Sequence, residues 1–283
     1  MTRAIKKPPP EAEADTSLFA SASIWIVDLD GVIWLAGEPI GDVARAVADL
    51  RGRGIRVVFA TNNSAPTTDE LMARLARAGI DAAAGDLATS ADALAGLFEA
   101  GQSAKVLAEG GVVEALGARG VRMLDAGPVD AAVVGWTHSF DFDSLSATAT
   151  AARTSGRLLG TNEDPTHPTP HGLVAGSGAL LAAVATASGI TPEVAGKPHR
   201  PMATLLKQRF GFDEGERSVV LVGDQPRTDG RLAERLGIAF GLVDSGVTPA
   251  GSATDGVPVA LRGPDFVTLV NACFDRRTSD GTG

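Results

Sequence analysis

Apolar residues in this chain gather into short runs, and between the runs they recur at helical spacing. Six runs read as strands buried on both faces: "SIWIVD" at 23–28, "IRVVFAT" at 55–61, "AKVLAEG" at 104–110, "AAVVGW" at 131–136, "GRLLGTN" at 156–162 and "SVVLVGD" at 218–224. A strand that shows water neither face belongs in a parallel sheet covered by helices. Covering helices are predicted over 42–54, 67–79, 145–156 and 178–189, each running into a glycine that can stop it. Strand and helix alternate through almost the whole chain, and no Asn-Gly hairpin signal interrupts them. The fold class is α/β.

Composition adds mostly exclusions. With 283 residues, 44% of them hydrophobic, the chain can fill one large core or two ordinary ones. No apolar run approaches the ~18 residues of a membrane span. The charged opening "MTRAIKKPPPEAEAD" has no apolar stretch behind it, so no secretory signal is expected. Residues 1–20 and 276–283 read as disordered tails. Cys273 is the only cysteine, which excludes an intramolecular disulfide and a cysteine zinc cluster and fits a cytoplasmic setting. A net charge of −9 without a sizeable basic run argues against a nucleic-acid partner.

Parallel sheets bind ligands beyond the carboxyl ends of their strands, so the residues just after each run carry the chemistry. There the sequence places Asp28-Leu29-Asp30-Gly31, then Thr61-Asn62-Asn63-Ser64, then Asp224-Gln225 with Thr228 and Asp229 following. After "EVAG" stand Lys197 and Pro198. Each has an ordinary reading as well: an Asp-Gly pair often makes a turn, one Asp can cap a helix, and a lone lysine is usually on the surface. Carboxylates without a His or Cys cluster suit a hard divalent cation, most simply Mg²⁺. Asp28, the Asp30 carbonyl and Asp224 could hold it. One carboxylate could attack phosphorus, and the other, two residues away, could serve as acid and then base. Lys197, Thr61 and backbone N–H groups around Leu29–Gly31 and Asn62 could hold the phosphoryl oxygens.

The stretches "DLDGVIW", "FATNNSA", "AGKPHRP" and "LVGDQPRTD" resemble, in order, the four motifs of haloacid-dehalogenase-superfamily (HAD) phosphatases. More narrowly they are similar to the NagD-like, p-nitrophenylphosphatase-like branch, subfamily IIA, over residues 24–262. The resemblance implies a doubly wound, Rossmann-like core at 21–102 and 191–275, with a C2-type α/β cap inserted at 103–190. It implies a Mg²⁺-dependent phosphatase acting on a small phosphate ester through an aspartyl-phosphate. Asp28 would be the nucleophile, Asp30 the acid and base, and Thr61 with Lys197 the phosphate-stabilising pair. Leu29, Gly31, Asn62 and Asn63 would contact the phosphate. Asp28, Asp30 and Asp224 would bind metal, with Asp229 and Gln225 supporting it from behind. A homodimer pairing through the cap is also implied.

Two positions depart from the family pattern. Gln225 stands where asparagine is usual, and Gly230 where isoleucine is usual; neither removes a charge the mechanism needs. His167, in the cap loop "DPTHPTPHG", is the candidate for substrate selection, while His138 and His171 read as solvated and His199, beside Lys197, as a residue near the rim of the site rather than in the chemistry. Asp30 argues against a haloalkanoic-acid dehalogenase, which would not need it. An inactive, metabolite-binding relative is the alternative. It would be expected to lack one of Asp28, Asp30, Lys197 or Asp224, and all four are present.

Overall fold

The computed structural model describes residues 15–274 apart from 170, 247, 249 and 250. Six parallel strands form its main sheet, in the order Leu261–Gly263, Ala239–Val243, Val219–Gly223, Ile24–Val27, Arg56–Thr61, Leu87–Thr89. The strand order reverses at Ile24–Val27, so the crevice where such sheets take ligands opens at its end. Val27 is in register with Val222 on one side and Phe59 on the other. The residues just beyond these three strands therefore start out as neighbours.

Alternate side chains leave the sheet on opposite faces. Trp25, Val27, Phe59 and Val222 enter one apolar cluster, and Ile26, Val58 and Leu221 the other. Runs buried on both faces thus belong to a sheet with helices on both sides, as expected. Helices Val43–Gly52, Thr68–Arg77, Phe142–Ser155 and Ser177–Ser188 stand where the periodicity put them. Thr67 caps the second of these in a reciprocal capping box with Glu70.

A second parallel sheet runs in the order Glu193–Val194, Leu158–Gly160, Ala131–Val134, Ser103–Leu107, Arg122–Met123. It begins at Ser103, where the insertion was expected to begin, and its last strand lies past the expected end at 190. Ala104, Val133 and Leu159 from this sheet join Ile26 and Val58 of the main one, and Leu94 of helix Ser90–Ala95, in a single cluster. Helix Gly110–Ala118 packs on helix Ser90–Ala95 across the same seam.

Two expectations are corrected. The chain does contain hairpins: Trp34–Leu35 pairs antiparallel with Glu38–Pro39, and Thr166–Thr169 with Gly172–Ala175. The first turns at Ala36 and Gly37, both with positive φ, so an Ala-Gly pair does what Asn-Gly usually signals. Residues 15–20 are not a disordered tail. Helix Thr16–Ser21 is capped by Asp15 and buries Phe19 completely against Trp25, whose Nε1 donates to the Phe19 carbonyl at 3.2 Å. One aromatic residue in an otherwise polar opening was too sparse a signal to read. The other expected tail, 276–283, and residues 1–14 lie outside the described residues. Among the described residues no helix is long and apolar enough to cross a membrane.

Candidate active site

Three strand ends meet as the register requires. Asp28 follows Ile24–Val27, Asp224 follows Val219–Gly223, and Thr61 closes Arg56–Thr61; all three are buried. Lys197 enters from the loop after Glu193–Val194. Its Nζ lies 2.7 Å from Asp28 Oδ1, 2.7 Å from Asp229 Oδ1, and 3.1 Å from the Ala60 carbonyl. A lysine this well buried keeps its charge only because acids surround it. Burial works to strip its proton, yet Asp229 and Asp28 hold its pKa above the ordinary lysine range.

Carboxylates outnumber ammonium groups here. Asp28, Asp224 and Asp229 are buried, with ligand oxygens all within 4.8 Å of one another. Burial pushes the Asp28 carboxyl well above the usual carboxylate range; Lys197 pulls it down, and Asp229 and Asp224 push it up again. Three acids against one lysine leave an excess of buried negative charge. A hard divalent cation with oxygen ligands fits that excess, and nothing in the donor set suits a softer metal.

Close approach explains the glycine of the first motif. Gly31 has φ +88°, and a Cβ there would lie 2.6 Å from Asp224 Oδ2. Its N–H donates to the Trp34 carbonyl at 2.7 Å, and the Leu29 N–H donates to Asp28 Oδ1 at 2.8 Å. These two amides, expected to face a phosphate, are engaged within their own turn. Asp30 sits beside them, its Oδ1 accepting from Trp34 Nε1 at 3.0 Å.

Asp229 stands with Asp28 and Asp224 in the buried acid cluster. Its Oδ1 is bound by Lys197 and its Oδ2 accepts the Gln225 N–H at 3.2 Å, so it also pins the lysine. Gln225 also accepts three N–H groups through its carbonyl, from Thr228, Asp229 and Gly230, which winds Pro226–Gly230 into a wide turn. The glycine at 230 has a local cause, because a Cβ there would meet Val257 Cγ1 at 2.5 Å.

Above these groups lies a cavity of about 600 Å³. Asp28, Asp30, Gly31, Thr61, Asn62, Asn63, Lys197 and Gln225 line its floor, and His167 its upper wall. Leu29, Asp224 and Asp229 are not on the wall; they lie behind it. The sequence reading missed Trp136, Asp164, Leu173 and Arg227, which also line the cavity. Trp136 carries the same signal as the residues after the main-sheet strands, since it stands two residues beyond the carboxyl end of strand Ala131–Val134 in the second parallel sheet. Its ring lies 5.7 Å from that of His167 and 4.3 Å from that of His138, and its Nε1 donates to the Ala175 carbonyl at 2.9 Å. His199 is not on the cavity wall itself but borders it, its Nε2 3.0 Å from Oε1 of the lining residue Glu163.

Comparison with known proteins agrees with this geometry. The family profile of haloacid dehalogenase-like hydrolases matches residues 25–122, and a HAD-hydrolase-like profile matches 194–268. A D-glycerol 3-phosphate phosphatase of Mycobacterium tuberculosis is 35% identical over 250 residues, covering 86% of this chain and 68% of that protein. A dihydroxyacetone phosphatase of Corynebacterium glutamicum is 30% identical, covering 79% of this chain and 82% of its own. Among solved structures, a glycerol phosphate phosphatase from M. tuberculosis in complex with magnesium superimposes with a TM-score of 0.79 at 30% identity, over 88% of this chain and 76% of that one. A glycerol phosphate phosphatase from the same organism has also been solved with calcium. NagD from E. coli K-12 gives 0.77 at 27% identity, over 87% and 97%. The chain belongs to the haloacid dehalogenase superfamily, in its NagD-like branch (subfamily IIA), and is a phosphoric monoester hydrolase.

Proposed function

We propose that the protein hydrolyses small phosphorylated polyols or sugars in two steps, through an aspartyl-phosphate on Asp28, with Mg²⁺ as its cation. The observation that carries this reading is the buried contact of Lys197 Nζ with Asp28 Oδ1, 2.7 Å, at the floor of the cavity. An attacking carboxylate and an incoming phosphate repel each other, and a fixed ammonium beside the point of attack offsets that repulsion. Asp28, the Asp30 carbonyl and Asp224 would hold the cation, which when bound supplies further positive charge to the phosphate oxygens.

The remaining work falls to the chain's own groups. An Asp28 oxygen bonds to phosphorus as the bond to the leaving oxygen breaks, and the Asp30 carboxyl gives that oxygen its proton. Asp30, now ionised, takes a proton from water as the water oxygen attacks phosphorus. The P–O bond to Asp28 then breaks, releasing phosphate and restoring both carboxyl groups. Thr61 and Lys197 hold the phosphoryl oxygens through both steps. Trp136, His167 and Leu173 face the leaving group. The substrate class follows the similar proteins, whose names specify glycerol 3-phosphate, dihydroxyacetone and acid sugar phosphatases; a cavity of about 600 Å³ suits molecules of that size.

Phosphate release from a panel of phosphomonoesters, with Mg²⁺ and with EDTA, tests the reading. Wild type is expected to release phosphate only with metal, fastest from three- to six-carbon polyol and sugar phosphates. Asp28→Asn, nearly isosteric, is expected to lose at least about 10³-fold in kcat. Release indifferent to that substitution rules Asp28 out as the nucleophile.

A further inference from the structure

The Asn62 carboxamide ties together segments far apart in sequence. Its Oδ1 accepts the Lys197 N–H at 2.7 Å, while its Nδ2 donates to the Lys197 carbonyl and to Asp164 Oδ2, both at 3.1 Å. One side chain thus clasps both backbone polar groups of the buried lysine and, on its other side, an acid of the inserted unit. The grip is doubled nearby, where Asn162 Nδ2 donates to the Asn62 carbonyl at 2.7 Å. Even the residue before the lysine is shaped by this clasp: a Cβ at Gly196 would lie 2.5 Å from Asn62 Oδ1. The carboxamide's hydrogen bonds thus all go to protein groups.

A lysine has four flexible methylenes, so an ammonium can stand 2.7 Å from two carboxylates reproducibly only if its backbone is held. The clasp holds it. We propose that Asn62 and Asp164 are positioning residues: Asp164 anchors the Asn62 carboxamide, the carboxamide fixes the Lys197 backbone, and the seating of the cap on the core thereby sets where the ammonium meets Asp28. This rests on the reading of Lys197 and Asp28 as the phosphate-handling pair. It makes the cap a part of the reacting end of the site as well as its roof.

Asp164 also lines the cavity, so its direct contact with the leaving group is the rival explanation, and the experiment separates the two. Initial rates are measured with Mg²⁺ on glycerol 3-phosphate and p-nitrophenyl phosphate, whose leaving groups share little, for Asn62→Ala, Asp164→Ala and the double variant. Misplacement by an ångström can cost on the order of 100-fold. Asp164→Ala is therefore expected to lower kcat about tenfold, by the same factor on both esters, with KM within about threefold. Asn62→Ala should cost more, up to about 100-fold, and the double variant no more than Asn62→Ala alone, because two residues acting through one path are not additive.

Near-isosteric changes give a second arm that does not depend on the alanine variants folding. Asn62→Asp keeps the acceptor for the Lys197 N–H but sets a carboxylate against both Asp164 and the Lys197 carbonyl, so kcat should fall. Adding Asp164→Asn to it restores the hydrogen bond between positions 62 and 164, though not the one to the Lys197 carbonyl, and should recover at least about threefold. Additive losses, a loss confined to one ester, or no recovery in the exchanged pair each overturn the positioning role. Wild type silent on both esters would instead sink the phosphatase mechanism beneath it.

Discussion

Gly31 shows how much of the site is decided by single atoms. A methyl group there meets a positive φ and an Asp224 oxygen at 2.6 Å, so alanine must strain the turn, displace the acid, or both. Gly31→Ala is expected to raise the Mg²⁺ concentration for half-maximal phosphate release by at least about tenfold, the scale on which disturbed supports of metal ligands act. A titration superimposable on wild type would show that Asp224 does not depend on that empty space. The charged residues at strand ends were legible in the sequence because one physical rule, ligands beyond the carboxyl ends of parallel strands, selects them. What each does with its hydrogen bonds was not. Asn62 was expected to contact phosphate and Asp229 to support the metal; that the Asn62 carboxamide also clasps the Lys197 backbone, and Asp229 its ammonium, was not legible. Those partners lie 135 and 32 residues away in the chain, beyond the reach of local spacing.

Among the elements, periodicity succeeded where burial was strong. All six apolar runs became strands, because a run that reads as apolar on both faces has few other places to go. Short elements escaped: Leu87–Thr89, Leu261–Gly263 and the two hairpins each have too few residues to show a period. Helix Thr16–Ser21 is the instructive omission. It contributes one buried side chain, Phe19, edge-on to Trp25 at 5.5 Å, and Phe266 also meets that indole edge-on at 6.3 Å. Phe19→Ala should cost about 3–5 kcal/mol, read as a fall in Tm on the order of 10 °C. Removal of residues 1–20, which the sequence marks as dispensable, should lower Tm at least as far. A truncated protein as stable as the full chain would mean that this helix contributes nothing to the fold.

At the scale of the whole molecule, the two sheets share one apolar cluster. Ala104, Val133 and Leu159 sit with Ile26, Val58 and Leu94, and polar contacts cross the same seam, from Gly111 N–H to the Ala65 carbonyl and from Arg157 to the Leu97 carbonyl at 2.9 Å. Units joined this way should unfold together. Scanning calorimetry is expected to give one transition, with calorimetric and van't Hoff enthalpies in agreement; two separated peaks would show core and cap to be independent. The shared cluster also bears on traffic through the enzyme. Swinging the cap away as a rigid body would wet that cluster at about 25 cal/mol for each Å² of apolar surface, a cost that opposes wide opening. Beside the cavity, hairpin Thr166–Thr169 and Gly172–Ala175 carries Leu173 and Val174 out in the open, in neither apolar cluster of the main sheet. A roof seated on apolar packing is set by the fold before any ligand arrives, so the room above Asp28 and Lys197, about 600 Å³, is built into the resting molecule.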